Sequence, residues 1–132
     1  MEYRVKTRKS ILIIDDEINL QHTLALILRR AGYRVITVMN DQDALDNLMV
    51  MKFDLVFLDV NWFNDKKGCL YTELKTCLPE LPIIVLTDHP SQEFMNDAKQ
   101  KGACEYILKP IAPGCILDVV TRILAETPDR VQ

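Results

Sequence analysis

The sequence predicts an α/β domain whose parallel β-sheet is covered by helices on both faces. Short, unbroken apolar segments alternate along the chain with longer segments whose apolar residues recur at helical spacing. Unbroken apolar runs are typical of strands that are buried on both faces, as parallel strands are. Five strands that alternate with five helices predict right-handed crossovers and a helical layer on each face of the sheet.

The first two strand–helix units have clear boundaries. The strands are predicted over Ser10–Ile14 and Arg34–Val38. Gly32 ends the helix between them, because glycine adopts the left-handed conformation common at helix C-termini. Asn40 caps the second helix through its side chain. The helical residues that are expected to face the sheet are apolar and three or four positions apart; they are Leu20, Leu24, Ile27, Leu28, Ala44, Leu45 and Leu48.

The second half of the chain contains the other three strands and helices. The strands are predicted over Asp54–Val60, Ile83–Leu86 and Cys104–Leu108. The fourth helix is predicted from Pro90 to Gly102, and the fifth begins at Pro113 because proline fits the first helical turn. The third and fifth helices contain apolar residues at helical spacing; they are Leu70, Leu74, Leu78, Ile116, Val120, Ile123 and Leu124.

The length and charge of the chain restrict its number of domains and its possible classes of function. The 132 residues fit one domain, predicted over residues 10–126, with an N-terminal extension over 1–9 and a tail or linker over 127–132. Sixteen basic and nineteen acidic residues give a net charge of −3, which disfavours direct binding of nucleic acid by this chain. No apolar run is long enough to span a membrane, and a cytoplasmic protein is expected.

The four cysteines are expected to be reduced. Cys69, Cys77, Cys104 and Cys115 form no CxxC pair, and neither histidine lies near them in the sequence. This spacing disfavours a zinc site, and a disulfide framework is untypical of a chain with a core of this size. The sequence assigns the cysteines no function.

Polar side chains follow the predicted strands at the points where the strands end. Asp15 and Asp16 follow the first strand, Asp59 closes the third, Thr87 follows the fourth and Lys109 follows the fifth. The carboxyl ends of parallel strands meet at one edge of the sheet, so these side chains are expected to converge there. Taken singly, each has an ordinary role at a helix start, in a turn, in a strand or on the surface. Because all of these side chains are expected at the same edge of the sheet, together they indicate a functional site.

The three carboxylates predict a cation site. Like charges that converge repel one another unless a cation lies between them. Carboxylate oxygens without histidine or cysteine favour Mg²⁺. A metal ion, the Lys109 ammonium and the Thr87 hydroxyl around one carboxylate would bind a phosphoryl group, which Asp59 would accept as an aspartyl phosphate.

This combination resembles the response-regulator receiver domain of two-component signalling. The resemblance covers Ser10 to Ala125, and its motifs are Asp15-Asp16, Asp59 in LVFLDV, Thr87 in IIVLTD and Lys109-Pro110 in GACEYILKP. It implies a flavodoxin-like (βα)5 three-layer sandwich with strand order 2-1-3-4-5. It also implies a signalling module rather than an enzyme.

The resemblance implies that Asp59 accepts a phosphoryl group from a histidine kinase or a phosphotransfer protein. Mg²⁺ would be held by Asp16, Asp59 and the backbone carbonyl of Asn61, and Asp15 would act mainly through metal-bound water. Thr87 and Lys109 would bind phosphoryl oxygens. The peptide bond between Lys109 and Pro110 is expected to be cis, a form that only an X-Pro bond adopts at low cost.

A switch is implied by the same resemblance. The Thr87 hydroxyl would move toward the phosphoryl group, and Tyr106 would turn inward behind it. Without the family resemblance, the position of Tyr106 is explained by ordinary side-chain packing in an edge strand. The altered surface would comprise the fourth helix, the fifth strand and the fifth helix, and it would control an output domain or a downstream protein. A homodimer through the fourth and fifth helices is an expectation from the family alone.

Two features depart from the family pattern. Asp88 follows the switch threonine, where most members have a small residue; it either repels an incoming phosphodonor or caps the next helix. The polar loop Asn61–Gly68 lacks the usual proline and has one extra residue. Trp62 and Phe63 in this loop either form an exposed contact surface or pack over the edge of the site.

Three alternatives belong to other functional classes. A pseudo-receiver would keep the fold as a phosphorylation-independent protein-binding module, and Asp88 and the altered loop support it. A phosphatase of the haloacid-dehalogenase kind is disfavoured, because Asn61 occupies the position of a required second acid and the nucleophile would end the third strand instead of the first. A flavin-binding flavodoxin is discarded, because the acidic residues Asp15, Asp16 and Glu17 would repel the flavin phosphate.

Overall fold

The computed structural model of the protein contains a five-stranded sheet and describes residues 8–64, 68–88, 96–97, 100–103 and 105–126. The strands are β1 (Ser10–Ile14), β2 (Arg34–Val38), β3 (Leu55–Asp59), β4 (Ile83–Thr87) and β5 (Glu105–Leu108). Their spatial order is β2-β1-β3-β4-β5, and all neighbouring pairs are parallel. The predicted flavodoxin-like order is confirmed.

The helices lie on both faces of this sheet. They are α1 (Ile18–Arg30), α2 (Asp41–Val50), α3 (Val60–Phe63), α4 (Leu70–Cys77) and α5 (Pro113–Glu126). The third and fifth helices predicted from the sequence correspond to α4 and α5. The predicted fourth helix lies largely outside the described residues, as do most of the N-terminal extension, Cys104 and the tail from Thr127.

Alternate side chains of the strands pack into two hydrophobic cores. On one face, Ile11 in β1 and Phe57 in β3 pack with α1 and α5. On the other face, Leu12 and Leu58 pack with α2, α3 and α4. Every residue of β1, β3 and β4 is buried, which explains why the sequence of these strands is continuously apolar. Burial of each large apolar side chain contributes roughly 2 kcal/mol to folding.

The strand register brings the carboxyl ends of the central strands together. Ile14 in β1 lies opposite Leu58 in β3, and Asp59 lies opposite Leu86 in β4. Thr87 follows Leu86 as the last residue of β4. The residues that end or directly follow these strands therefore meet at one edge of the sheet.

Both predicted helix-end signals are confirmed. Gly32 follows the end of α1 with a φ angle of +100°, a left-handed conformation that residues with a Cβ adopt only with strain. The side-chain oxygen of Asn40 accepts a hydrogen bond of 2.8 Å from the backbone N–H of Asp43 in the first turn of α2. This bond satisfies one of the N–H groups that a helix start leaves unpaired.

The prediction of a polar loop over Asn61–Gly68 is wrong for its first residues. Val60–Phe63 forms the short helix α3, so β3 ends at Asp59 instead of Val60. Trp62 and Phe63 are buried in the core beside α4, and the Phe63 ring meets the Tyr71 ring edge-on at 4.6 Å between centroids. The alternative that these aromatic residues form an exposed surface is therefore wrong, because a helical turn lets both reach the core.

Two further differences concern ends of elements. The sequence predicts Leu78 within the third helix, but it lies one residue beyond α4 and is exposed, because α4 ends at Cys77. Strand β4 extends one residue further than predicted and includes Thr87. The cysteines Cys69, Cys77 and Cys115 are exposed thiols that form no disulfide. Among the described residues, no helix is both long enough and apolar enough to cross a bilayer.

Removal of the α2 cap should destabilise the domain. We expect Asn40→Ala to lower the free energy of unfolding by about 1 kcal/mol, because the Asp43 N–H then loses its acceptor. Urea denaturation followed by circular dichroism measures this difference. Asn40→Ser keeps a side-chain acceptor and should stay close to the parent; equal losses in both variants would contradict the role of the cap.

Candidate functional site

A buried ammonium group lies at the centre of the carboxyl edge of the sheet. Lys109 directly follows β5, and only 6% of its side chain is exposed. Its Nζ lies 2.9 Å from Asp59 Oδ1, 3.0 Å from Glu17 Oε1 and 3.0 Å from Asp15 Oδ2. Three segments of the chain, those after β1, at the end of β3 and after β5, are thereby joined through one cation.

The carboxylate of Asp59 is held from two sides. Asp59 ends β3 and is the N-terminal cap of α3, where its Oδ2 accepts a hydrogen bond of 3.2 Å from the backbone N–H of Asn61. Its Oδ1 accepts the bond from Lys109. The side chain is buried, and both of its oxygens are fixed in place at the end of a central strand.

The turn after β1 contributes two further carboxylates. Asp15 Oδ1 accepts a hydrogen bond of 2.9 Å from the backbone N–H of Glu17. Asp15 Oδ2 is fully buried and forms no hydrogen bond, although the Lys109 ammonium is 3.0 Å away. Glu17 is more than half exposed and reaches back to Lys109. Among the described residues, Asp15, Glu17 and Asp59 have carboxylate oxygens within 4.8 Å of one another.

The protonation of this cluster follows from its burial. Burial raises the pKa of Asp15 above its usual value, an effect to which the nearby Asp59 charge adds and which the Glu17 N–H and Lys109 oppose. Burial alone would lower the pKa of Lys109. The hydrogen bonds from its ammonium to Asp59 and Glu17 and its contact with Asp15 outweigh burial and raise the pKa of Lys109, so this group stays charged at neutral pH.

Gln21 stabilises the turn that carries Asp15. Its side chain is buried on α1, and its Nε2 donates hydrogen bonds to the backbone carbonyls of Asp15 and, at 2.6 Å, of Val38. The Asp15 N–H also donates to the Val38 carbonyl at 3.2 Å. Gln21 thus joins the carboxyl ends of β1 and β2 and fixes the backbone from which Asp15 projects. A polar residue on the buried face of α1 was the signal in the sequence that could have indicated this role.

The remaining predicted site residues lie at or near the same edge. Thr87 ends β4 and is buried, and its carbonyl accepts a hydrogen bond of 2.8 Å from the backbone N–H of Lys109. Tyr106 in β5 is half-buried and packs against the core that contains α2, α3 and α4. The peptide bond between Lys109 and Pro110 is cis, as expected. Asp88 is exposed.

The cluster of three carboxylates in the structure is Asp15, Glu17 and Asp59, whereas the sequence predicts Asp15, Asp16 and Asp59. Asp16 is exposed and is not one of the three clustered carboxylates, whereas Glu17 is. The sequence shows three consecutive acidic residues after β1, and the backbone of this turn decides which of them reach Lys109.

The clustered side chains fit a hard divalent cation. All three donors are carboxylate oxygens, and Asp15 Oδ2 is a buried oxygen without a hydrogen bond. One ammonium faces three carboxylates, which leaves an excess of negative charge at the edge. Oxygen donors with excess negative charge favour Mg²⁺ over zinc or copper.

A doubly covered parallel sheet with an acidic cluster and a lysine at its carboxyl edge is an arrangement typical of signalling receiver domains. Comparison with known proteins agrees. Residues 11–121 match the family model described as the response regulator receiver domain. The chain belongs to this family: it is the receiver domain of a two-component response regulator.

Relatives and solved structures support this assignment. The transcriptional regulatory protein ZraR of Salmonella typhimurium is 29% identical over 123 residues, which cover 93% of this chain and 28% of the relative. The alginate biosynthesis transcriptional regulatory protein AlgB of Pseudomonas syringae pv. tomato is 32% identical over 114 residues, 86% of this chain and 25% of the relative. The chain thus spans about a quarter of the length of these relatives.

Two solved receiver structures are similar over nearly their whole length. The chemotaxis protein CheY4 of Vibrio cholerae superposes with a TM-score of 0.80 at 26% identity, covering 89% of this chain and 99% of that one. The receiver domain of NtrX from Brucella abortus gives a TM-score of 0.80 at 30% identity with the same coverage, 89% and 99%.

The raised pKa of Asp15 predicts how stability depends on pH without metal. The folded state binds the Asp15 proton more tightly than the unfolded state, whose aspartate pKa is about 4. Stability is therefore lost as pH rises from about 4 through the folded-state pKa. We expect Asp15→Asn, which mimics the protonated form, to become more stable than the parent over this range.

The measurement is the free energy of unfolding against pH in buffer containing a chelator. The advantage of Asp15→Asn should vanish below pH 4, where both states of the parent bind the proton. Asp46→Asn, at an exposed position of α2, is the matched control. An advantage of Asp15→Asn that does not change with pH would contradict the assignment.

Proposed function

We propose that Asp59 is the phosphoacceptor and that it receives a phosphoryl group from the phosphohistidine of a histidine kinase or a phosphotransfer protein. One observation carries this proposal: the Asp59 carboxylate is fixed at the end of a central strand, 2.9 Å from a buried ammonium. This position places the nucleophilic oxygens beside a positive charge that can stabilise the phosphoryl oxygens.

The transfer follows from the groups around Asp59. A carboxylate oxygen of Asp59 attacks phosphorus and forms an O–P bond. The P–N bond to the donor imidazole breaks, and the imidazole nitrogen keeps the electron pair. Lys109 stabilises the negative charge of the phosphoryl oxygens from the side of β5, and the Thr87 hydroxyl, at the end of the neighbouring strand β4, donates a hydrogen bond to them.

Asp15 and Asp59 would hold Mg²⁺ together with Asp16 and the backbone carbonyl of Asn61. The fit rests on the buried Asp15 oxygen that forms no hydrogen bond and on the excess of carboxylates over ammonium groups. When bound, the ion neutralises charge on the phosphoryl group during transfer. Asp15 and Asp59 already converge, and Asp16 directly follows Asp15 in the turn after β1.

The phosphorylated domain would signal through the surface around β5. Tyr106 is half-buried in this edge strand and lines an open cavity of about 400 Å³ between β5 and α5, together with Pro110, Cys115 and Val119. Movement of Thr87 toward the phosphoryl group would draw Tyr106 inward and reshape this surface, which an output domain or a downstream protein, or a second copy of the domain, would recognise.

The chain itself is a signalling module of the cytoplasm and not an enzyme that acts on other substrates. The relatives ZraR and AlgB are named as transcriptional regulatory proteins, and the matched region is about a quarter of each. Its net charge of −3 and the acidic edge disfavour DNA binding by this domain. Any output on DNA would belong to another segment or another protein.

Phosphorylation by a small donor tests the acceptor. Incubation with acetyl phosphate and Mg²⁺ should add one phosphoryl group to the parent, because the site supplies all groups that stabilise the transfer. Asp59→Asn should gain none, and Asp46→Asn should behave like the parent. Intact-protein mass spectrometry gives the result. A folded parent that binds Mg²⁺ yet remains unmodified would instead favour the phosphorylation-independent binding module.

The effect of Mg²⁺ on thermal stability tests the metal ligands. At a concentration tenfold above its Kd, Mg²⁺ should stabilise the parent by about 1.4 kcal/mol and raise Tm by about 4–6 °C. Asp16→Asn should abolish this increase, whereas Glu17→Gln should retain most of it. Differential scanning calorimetry measures the Mg²⁺-induced increase in Tm in each variant. If the increase is lost in Glu17→Gln alone, Glu17 is the third metal ligand instead of Asp16.

A further inference from the structure

Among the described residues that form ion pairs with Lys109, Glu17 is the one that the expected phosphorylation site does not include. Its Oε1 accepts a hydrogen bond of 3.0 Å from Lys109 Nζ. The other two carboxylates around this ammonium, those of Asp15 and Asp59, belong to the site already described. The position of Glu17 two residues after Asp15, at the start of α1, lets it reach across the edge to a residue that follows β5.

The three carboxylates differ in how firmly they are held. The side chains of Asp15 and Asp59 are 0% and 4% exposed, and each accepts a hydrogen bond from a backbone N–H. The Glu17 side chain is 55% exposed. A carboxylate that leaves Lys109 for water regains its hydration only if it is exposed, so Glu17 is the contact that is exchanged at least cost.

A phosphoryl group on Asp59 would compete with these carboxylates for Lys109. Three carboxylate oxygens lie within 3.0 Å of Lys109 Nζ, and those of Asp59 and Glu17 accept hydrogen bonds from it. Asp59 carries the phosphoryl group itself, so Glu17 is the other hydrogen-bonded partner that a phosphoryl oxygen would displace from the ammonium. Its exposure lets its carboxylate leave Lys109 for water.

We propose that Glu17 is a positioning residue that competes with the phosphoryl group for Lys109 and so slows phosphorylation of Asp59. This inference rests on the proposed role of Asp59. In the unphosphorylated domain, Glu17 holds part of the positive charge of Lys109. Its own negative charge lies within 4.8 Å of the Asp59 carboxylate, where it also opposes the approach of a phosphate. Both effects make the domain more selective for a donor that displaces Glu17.

The rate of phosphorylation of Glu17→Gln tests this role. The substitution keeps the shape and removes the charge. With acetyl phosphate at saturating Mg²⁺, we expect phosphorylation to be about fourfold faster than in the parent, which is the effect of one unit charge about 5 Å away in a water-like dielectric. Glu80→Gln is the matched control, because Glu80 is exposed in the turn before β4, at the opposite edge of the sheet. It should leave the rate unchanged.

A double-mutant cycle with Lys109→Met separates an effect through Lys109 from direct repulsion of the donor. Methionine keeps the aliphatic volume and removes the ammonium. If Glu17 acts through Lys109 as well as by direct repulsion, Glu17→Gln should accelerate the Lys109→Met variant less than it accelerates the parent. An equal acceleration in both backgrounds, or no acceleration of the parent, would overturn the proposal.

The parent protein distinguishes this result from a failure of the proposed function. A parent that is phosphorylated on Asp59 at the same rate as Glu17→Gln overturns the role of Glu17 and leaves the role of Asp59 intact. A parent and a Glu17→Gln variant that both remain unmodified overturn the role of Asp59 and, with it, that of Glu17.

Discussion

The functional edge depends on the contact between one buried ammonium and three carboxylates. Lys109 follows β5, while Asp15 and Glu17 follow β1 and Asp59 ends β3, so the ion pairs join elements that are distant in sequence. An ammonium this deeply buried would be costly without its partners. The converse also holds, because the carboxylates would repel one another without it. The ammonium therefore offsets the repulsion between the carboxylates, and the carboxylates offset the cost of burying the ammonium. The side chains of the site are in contact without a bound ligand.

The two cores provide the rigidity that such a contact needs. Since β1, β3 and β4 are buried on both faces, their ends cannot shift without disturbing the packing of helices above and below. Gln21 adds a polar constraint at the edge of the sheet, because it donates hydrogen bonds to the carbonyl of Val38, which ends β2, and to that of Asp15, which follows β1. The acidic turn is therefore fixed in its backbone, whereas the side chains of Asp16 and Glu17 on this turn are exposed.

The ends of the strands could be predicted from the sequence to within one residue, whereas the local backbone geometry of the turns could not. Parallel strands share one carboxyl edge, so the positions of Asp59 and Lys109 could be inferred from hydrophobic runs alone. Which of the consecutive acids after β1 faces Lys109 depends on the φ and ψ angles of a turn, and no periodicity encodes them. Helix α3 escaped detection because four residues are too few for a helical pattern. The hydrogen-bond partners of Gln21 could not be predicted because they are backbone carbonyls, and the sequence does not show which backbone groups lie near a side chain.

The placement of Trp62 has an optical consequence. It is the single tryptophan of the chain, it is buried, and it lies in α3, whose N-terminal cap is the Asp59 side chain. A change at this carboxylate alters its bond with the Asn61 N–H and thus the start of the helix that carries the indole. The tryptophan fluorescence of the domain therefore originates three residues from Asp59, and it should respond to chemical changes at this carboxylate.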